Sequence, residues 1–261
     1  MAEIKTNQLS VGYGKQEIIS DLSLTIPKSR ITCIIGPNGC GKSTLLKTVA
    51  RLLKPSGGTA TINGKIIHKE STRVIAKQMA ILTQAPQTPE DITVKELVSY
   101  GRAPHQKGFG QLQAHDWEKI HWALEQTQLL NDADRTVSSL SGGQKQRVWI
   151  AMALAQDTNC LLLDEPTTFL DMAHQLEVLQ VLETLNRKLN RTIVMVLHDL
   201  NHAARFADHL IAVRDGKVVK VGTPEEVMQP EVLRAVFDIE ASIVQDPQTG
   251  KPTLLSYQLV Q

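Results

Sequence analysis

The stretch IIGPNGCGKSTLLKTV, residues 34–49, constrains the fold of this chain more than any other feature. Residues 36–43 match the pattern G-x-x-x-x-G-K-[S/T], with the apolar run RITCII before them and the helix-forming run STLLKTVARLL after them. Such a turn lets backbone N–H groups converge on an anion, because its glycines carry no Cβ. We therefore expect the turn to bind phosphates, with Lys42 reaching the β- and γ-phosphates and Ser43 able to ligate Mg²⁺.

A second apolar run, CLLLDEP at residues 160–166, ends in two acids, Asp164 and Glu165. A parallel strand that is buried on both faces has this continuous apolar pattern, and its carboxyl end opens into the ligand crevice of an α/β sheet. Asp164 is predicted to hold Mg²⁺, directly or through water, and Glu165 to polarise the attacking water. Two solvated acids at a strand end are the alternative, and the nearby phosphate-binding pattern argues against it.

The rest of the chain fits a βα core with a helical insertion. The run ISDLSLTI alternates apolar and polar residues, and TATINGKII carries Asn63–Gly64, a strong hairpin signal. From Pro86 to about Asp157 the spacing is helical, and strands return at NCLLLDE, TIVMVLH and HLIAVRDGKVVKVG. The tail, from about Thr223, predicts a short helix, EVLRAVF, and two weak strands.

Composition narrows the range of partners and compartments. Lys and Arg number 28 against 27 Asp and Glu, and the resulting net charge of +1 gives no footprint for nucleic acid or an anionic bilayer. Cys33, Cys40 and Cys160 lack the spacing of a zinc site or a disulfide framework, which fits a reducing compartment. No signal peptide or membrane-spanning run is visible. We expect a soluble, cytoplasmic chain that reaches a membrane only through a partner.

The run VSSLSGGQKQR, residues 137–147, completes the pattern. Its Ser-Gly-Gly segment stands before a stretch, Gln144 to Gln156, that has good helical spacing. Two glycines at a helix entrance indicate close backbone approach, and the bare N–H groups of a helix N-terminus favour an anion. With the two motifs above, LSGGQ at 140–144 resembles the signature motif of the ABC-type ATPases, and the likeness runs from about Lys5 to Gly222.

Four further residues stand where that family has motifs. Tyr13 resembles the aromatic residue that stacks on adenine, and Gln84 the Q-loop glutamine that senses the γ-phosphate and Mg²⁺. Asp171, in TTFLD, falls at the D-loop aspartate, and His198, after TIVMVL, resembles the switch histidine that contacts the γ-phosphate.

The resemblance implies a site for ATP and Mg²⁺. The nucleotide-binding residues that it implies are Tyr13, Gly36, Pro37, Asn38, Gly39, Cys40, Gly41, Lys42, Ser43, Thr44, Ser141, Gly142, Gly143 and Gln144. The implied catalytic residues are Glu165, His198, Lys42, Gln84 and Asp171, and the implied metal ligands are Ser43, Gln84 and Asp164. The other seven histidines receive no role.

The resemblance also implies the fold: an α/β P-loop NTPase core with a mixed sheet, an antiparallel β-subdomain and a helical subdomain. Its expected limits are 1–85 and 159–222 for the core, 86–158 for the helical subdomain and 223–261 for a C-terminal extension. Two copies are expected to pair head to tail, with ATP between the P-loop of one and the LSGGQ of the other. Hydrolysis would then release the pair.

An ABC-type chain without a membrane span is expected to drive separate permease subunits from the cytoplasmic face of the membrane. The segment 86–158 is the expected docking surface, and a substrate-binding lipoprotein is an indirect partner. SYGRAPHQ at 99–106, LDMAHQLEVL at 170–179 and HDLNHAARFADHLIAVRDGKVVKVGTPEEV at 198–227 resemble the importers of iron–siderophore, haem and cobalamin. Ferric siderophore is the favoured cargo, with cobalamin or haem as alternatives.

Two residues depart from the family pattern: Ser29 replaces a glycine before the P-loop strand, and Phe169 replaces an alanine in the D-loop. The first is expected to alter only a turn, whereas the second could perturb dimer closure. Other classes of protein fit less well. A translation factor or a chromosome or repair ATPase generally carries two cassettes or a long coiled coil between the P-loop and the signature, and this chain shows no sustained heptad. A small-molecule kinase or a GTPase would leave LSGGQ unexplained, and no N-K-x-D motif follows. A binding or scaffolding module that lost catalysis would not need Glu165, Lys42 and His198 together.

Overall fold

The computed structural model describes residues 2–14, 16–84, 91–106 and 111–260. Strands and helices are interspersed along the chain. The strands are β1 Ile4–Tyr13, β2 Gln16–Ile26, β3 Ile31–Ile35, β4 Gly57–Ile62, β5 Lys65–Ile66, β6 Met79–Leu82, β7 Cys160–Asp164, β8 Thr192–Val196, β9 His209–Arg214, β10 Lys217–Gly222, β11 Ile239–Gln245 and β12 Pro252–Leu259. The α-helices are α1 Lys42–Val49, α2 Thr72–Ala76, α3 Val94–Ser99, α4 Ala114–Gln126, α5 Gly142–Ala155, α6 Met172–Leu189, α7 Leu200–Phe206, α8 Pro224–Val227 and α9 Pro230–Phe237.

A six-stranded sheet in the order β10-β9-β3-β8-β7-β6 forms the centre of the fold. Its strands pair in parallel except for the hairpin of β9 and β10, so the sheet is mixed, as expected. Because β3, β8 and β7 are parallel neighbours, their carboxyl ends meet at one edge. The residues that follow these three strands are therefore brought together although they are far apart in the sequence.

The six-stranded sheet separates two hydrophobic cores. Along β8, Ile193 and Met195 face the core that includes α3 to α7, whereas Val194 and Val196 face the core beneath the second sheet. This division follows from the two-residue period of a strand, and it explains why every residue of β8 is buried.

A second, antiparallel sheet has the order β2-β1-β4-β5. The predicted hairpin is confirmed, since Asn63 and Gly64 join β4 to β5 with φ of 51° and 80°. The sequence analysis did not identify β1 as a strand. Gln8 in β1 has a φ of 48°, and the pairing register shifts around it, so the alternation of apolar residues is broken.

Between the strands β6 and β7, the described residues form α3, α4 and α5 around a buried charge pair. Arg102, in the 3₁₀ turn Tyr100–His105, donates from Nε to Asp116 Oδ1 at 2.8 Å and from Nη1 to the carbonyl of Ala155 at 2.8 Å. The predicted segment 86–158 begins in residues 86–90, and these, like 107–110, lie outside the described residues. The limits of this subdomain and of the C-terminal extension therefore stay predictions.

Two helix limits were wrong in the sequence analysis. The helix α5 begins at Gly142 and not at Gln144, because Ser141 caps it and both glycines adopt helical geometry. The run after the P-loop ends its helix at Val49, since Arg51 has a φ of 67° and cannot continue it. Among the described helices, none is both long and apolar enough to cross a membrane.

The C-terminal residues form α8, α9 and a two-stranded antiparallel sheet of β11 and β12. The helix α9 packs against β11, and α7 packs against β12. In the latter contact, Asn201 exchanges two hydrogen bonds with the backbone of Leu254, at 3.2 and 2.7 Å. The tail predictions of a helix and two strands are confirmed.

Candidate functional site

The turn between β3 and α1 forms the floor of a cavity of about 270 Å³. Gly41 is the N-cap of α1 with a φ of 102°, a left-handed value that a side chain would strain, and its backbone thereby leads Lys42 and Ser43 into the cavity. The cavity is lined by Tyr13, Ile18, Asn38, Gly39, Gly41, Lys42, Ser43, Thr44 and Glu165. Most of the predicted turn residues thus share one concave surface.

Lys42 is the buried cation of this cavity. Its side chain is almost fully covered, and Nζ donates to the carbonyls of Gly36 and Pro37, both at 2.8 Å. The ammonium is therefore held against the turn by the chain's own backbone. Cys40 differs from the other turn residues because its side chain is buried in the core beneath the antiparallel sheet. Burial raises the pKa of its thiol. Because the side chain is buried, Cys40 offers a ligand only its backbone.

Ser43 and Asp164 meet at the carboxyl end of β7. Ser43 Oγ donates to Asp164 Oδ1 at 2.7 Å, and Oδ2 is buried with no hydrogen-bond partner among the described residues. Burial raises the pKa of Asp164, and the hydrogen bond from Ser43 opposes this shift. A buried carboxylate oxygen without a donor, beside a hydroxyl, fits a hard cation such as Mg²⁺, which takes oxygen ligands.

Glu165 is the next residue, and three side chains hold its carboxylate. His198 Nε2 lies 2.7 Å from Oε1, Gln84 Nε2 donates to Oε2 at 2.6 Å, and Thr168 Oγ1 donates to Oε2 at 3.1 Å. Glu165 has a φ of 55°, an uncommon value for a residue with a side chain, and strained backbone of this kind clusters at functional sites. The structure thus brings together three predicted residues from three segments of the chain.

Two residues of the site, Thr168 and Ile18, were not predicted from the sequence. Thr168 lies in the run TTFLD, but its hydroxyl could not be related to Glu165 without the turn that the backbone makes there. Ile18 lies in β2 and lines the cavity beside Tyr13, whose ring is half exposed. An apolar residue beside an exposed aromatic ring gives the cavity one wall without charge.

In the signature turn, Ser141–Gln144, the first two residues are exposed, Gly143 is buried and Gln144 is partly buried. In the described part of the chain none of these residues lines the cavity. Ser141 Oγ accepts from the backbone N of Gln144 at 3.3 Å, and Gln144 Oε1 accepts from the backbone N of Ser141 at 3.0 Å. This reciprocal pair is a capping box, which fixes the first turn of α5. The turn is ordered by its own side chains, which accept from the backbone N–H groups of Ser141 and Gln144.

The D-loop, residues 167–171, connects the cavity to α6. Asp171 is the N-cap of α6, and its Oδ1 accepts from the backbone N of His174 at 2.9 Å and lies 2.7 Å from Nδ1 of the same residue. These hydrogen bonds hold the pKa of Asp171 below its ordinary value. Phe169 has a φ of 66°, and its side chain is 89% exposed. The D-loop therefore presents an uncovered aromatic ring on a strained backbone.

A phosphate-type turn after one strand, a carboxylate pair after a second and a histidine after a third define a P-loop nucleotide hydrolase. The family model described as "ABC transporter" matches residues 19–168, and the chain belongs to that family of ATPases, whose members hydrolyse ATP to power transport. The likeness stated in the sequence analysis is therefore confirmed.

Two relatives of the chain are ATP-binding proteins of iron or siderophore transport. The chain is 58% identical to the iron(3+)-hydroxamate import ATP-binding protein FhuC of Bacillus subtilis (strain 168), over 100% of this chain and 97% of the relative. It is 51% identical to the probable siderophore transport system ATP-binding protein YusV of the same organism, over 98% of this chain and 94% of the relative.

Solved structures agree with the fold. A chain of a metal-chelate type ABC transporter in an inward-facing conformation superposes with a TM-score of 0.85 at 27% identity, over 97% of this chain and 96% of the other. A dimeric bacterial ABC transporter cassette gives a TM-score of 0.74 at 29% identity, over 84% of this chain and 98% of the other.

Proposed function

We propose that this chain is the ATP-binding and ATP-hydrolysing subunit of an importer that takes up iron–siderophore complexes through a separate membrane permease. The proposed hydrolysis rests on the contacts that His198, Gln84 and Thr168 make with the carboxylate of Glu165. This carboxylate follows Asp164, which is hydrogen-bonded to Ser43. The two named relatives support the cargo, since one imports iron(3+)-hydroxamate and the other is a probable siderophore transport protein.

In this proposal the cavity binds the triphosphate. The N–H groups at the start of α1 face the phosphates, and Lys42 exchanges the carbonyls of Gly36 and Pro37 for the β- and γ-phosphates. The exchange replaces two neutral acceptors by charged ones, which makes stronger hydrogen bonds. Tyr13 and Ile18 supply apolar surface for the adenine base, because stacking on a ring is favourable by about 1–3 kcal/mol.

Ser43 and Asp164 fit Mg²⁺, and Gln84 is the third predicted ligand. The hydroxyl of Ser43 and the free Oδ2 of Asp164 are oxygen donors that this cation prefers. When bound, the cation would offset charge on the β- and γ-phosphate oxygens. No cluster of three His, Cys, Asp or Glu side chains that could hold a metal occurs in the described ranges, which agrees with a cation held jointly with phosphates.

Glu165 acts as the base in this proposal. Its carboxylate is oriented by three donors, and an attacking water takes the place of one of them when nucleotide is bound. General base catalysis of this kind contributes about 10²–10⁴-fold. His198 then donates toward the γ-phosphate, as its position beside Glu165 allows.

A second copy of the chain completes the site. The signature turn does not line the cavity of its own chain in the described residues, yet its helix N-terminus carries unpaired donors and partial positive charge. We infer a head-to-tail pair in which Ser141, Gly142 and Gly143 of one copy close on the γ-phosphate held by the other. The dimeric form of a structural relative supports this arrangement.

The permease is proposed to dock on the segment 86–158, from the cytoplasmic side of the membrane, with a substrate-binding lipoprotein acting upstream. Cross-links from cysteines introduced on α3 and α4 to the permease would support this surface, and cross-links only from β11 and β12 would reject it.

Cargo and activity are tested together in a strain that lacks the gene for this chain. Uptake of ⁵⁵Fe-labelled ferric hydroxamate should fall to background and return with the wild-type gene but not with a Glu165→Gln variant. Labelled cobalamin and haem are measured in parallel. If uptake of cobalamin or haem is lost while ferric siderophore uptake persists, the proposed cargo is wrong although the ATPase role stands.

A further inference from the structure

The helices α5 and α6 touch at the first turn of α5. A Cβ built on Gly143 would lie 2.3 Å from Cδ2 and 2.7 Å from Cγ of His174, closer than two carbon atoms that are not bonded can approach. A Cβ on Gly142 would meet nothing nearer than Leu170 Cδ2 at 3.8 Å, an ordinary contact. Of the two glycines in the signature turn, only Gly143 is therefore required by packing within its own chain.

The ring that covers Gly143 is held from the other side by the D-loop. Asp171 Oδ1 lies 2.7 Å from Nδ1 of His174, and a carboxylate only accepts, so Nδ1 carries the hydrogen. The same oxygen accepts from the backbone N of His174 at 2.9 Å. The hydrogen bond from Nδ1 to this carboxylate oxygen orients the imidazole, and the bond from the backbone N holds the residue that carries it. The His174 side chain remains about one-third exposed.

Farther along the same two helices the contact is looser. Arg147 Nη1 lies 3.6 Å from Glu177 Oε2, and the carboxylate is half exposed. The Arg147 side chain is only 15% exposed, so its guanidinium is mostly covered, whereas the Glu177 carboxylate reaches solvent. Where the signature turn and the D-loop begin their helices, α5 and α6 therefore approach more closely than they do at this ion pair.

We propose that His174 is a positioning residue that joins the D-loop to the signature turn within one chain. The carboxylate of Asp171 orients the imidazole, and the imidazole fixes the α-carbon of Gly143 and, with it, the direction of the N–H groups in the first turn of α5. A displacement of the D-loop therefore moves these donors. The inference rests on the proposed function, because it assigns those donors to the phosphate held by the second copy.

The experiment compares variants in a Glu165→Gln background, which preserves bound ATP. It measures the dissociation constant of the ATP-bound dimer by sedimentation velocity and the affinity of the monomer for ATP by titration of a fluorescent analogue. His174→Ala should weaken the dimer by about 5-fold or more, within the range of coupling between contacting residues, with ATP affinity unchanged within about 2-fold. His174→Phe, which keeps a ring but loses the hydrogen bond to Asp171, should give an intermediate effect.

A double variant tests the contact itself. Gly143→Ala should weaken the dimer strongly, because the new methyl group displaces the imidazole, and adding His174→Ala should recover at least about 5-fold of that loss. Glu177→Gln, which alters the looser contact between the same helices, serves as the matched control and should change the dimer by less than about 2-fold. Thermal melts of each variant identify any that fails to fold.

Four results decide the matter. Additive effects in the double variant, or dimerisation of His174→Ala equal to that of its parent, would overturn the role of His174. If the Glu165→Gln parent itself does not dimerise with ATP, the proposed function fails first, and the two failures are thereby distinguished. Equal losses of ATP affinity and dimerisation in His174→Ala would also overturn the inference, since they would reflect general damage to the fold.

Discussion

The imidazole of His198 lies 2.7 Å from the carboxylate of Glu165, although β8 and α6 separate the two residues in the sequence. The same carboxylate accepts from Gln84 at 2.6 Å, so residues that follow β6, β7 and β8 meet at one group. This convergence follows from the parallel order of three neighbouring strands. The prediction on catalysis therefore concerns Glu165.

Glu165→Gln should lower kcat for ATP hydrolysis by at least about 100-fold, because the amide cannot accept a proton from water. The affinity for ATP should change by less than about 3-fold, since Gln keeps the volume and one acceptor oxygen. Steady-state phosphate release and equilibrium nucleotide binding measure the two quantities. Thr168→Val is the matched control: it removes one hydrogen bond to Glu165, and a loss as large as that of Glu165→Gln would contradict the assigned base.

Asp164→Asn should stabilise the nucleotide-free protein at pH 7. Burial raises the pKa of Asp164 in the folded state, so the unfolded chain ionises more readily and the wild type loses stability as pH rises above the unfolded pKa of about 3.9. Asn carries no charge and keeps an acceptor for Ser43. Urea unfolding should therefore show the variant more stable at pH 7 and equal to the wild type well below pH 4. An advantage that does not change with pH would contradict this explanation.

Arg102→Ala should destabilise the fold by about 3–5 kcal/mol, because it leaves the carboxylate of Asp116 buried without its partner. The side chain of Arg102 is only 2% exposed, whereas Lys95 and Asp134 form an ion pair on the surface. Lys95→Ala is the matched control and should cost less than about 1 kcal/mol. Chemical denaturation measures the free energy of unfolding of both variants. Similar losses would show that the buried pair stabilises the fold no more than the exposed pair does.

Phe169→Gly should stabilise the nucleotide-free chain by about 0.5–1 kcal/mol. Glycine removes the strain of a side chain at a left-handed φ, and this gain exceeds the additional backbone entropy that glycine loses on folding. Phe169→Ala should not, because alanine meets the same restriction at a φ of 66°. Met172→Ala, at an exposed site with ordinary backbone, should stay within about 0.5 kcal/mol. Thermal unfolding checks the order of the three variants, and equal stability of the Gly and Ala variants would contradict the strain.

Local patterns predicted much of this fold. The strand before the phosphate-binding turn, the apolar strand that ends in Asp164 and the hairpin at Asn63–Gly64 all depend on neighbours in the sequence, so their patterns are visible without a structure. The strand β1 escaped notice because a residue in the left-handed region interrupts its period of two. The start of α5 was placed late because glycine is a poor helix former, whereas the capping box of Ser141 and Gln144 outweighs it.

The side-chain contacts of the site could not be derived in the same way. The distances from Glu165 to His198, Gln84 and Thr168 depend on strand order and on one uncommon backbone conformation. The contact of His174 with Gly143 depends on how α5 and α6 cross, and a lone histidine on a helix carries no signal of it. Ser29 lies in the turn before β3 with a φ of 57°, a conformation that favours the glycine of the family pattern. The expectation that its presence alters only this turn stays a prediction.

The central claim is that ATP is enclosed jointly by two copies of the chain. Sedimentation velocity of Glu165→Gln with saturating Mg²⁺ and ATP tests it most directly, with the same variant carrying Ser141→Arg in parallel. We expect a dimer for Glu165→Gln that dissociates when nucleotide is removed, and a monomer for the double variant with its ATP affinity intact. A monomer for Glu165→Gln under these conditions, or an equally stable dimer for both variants, would contradict it.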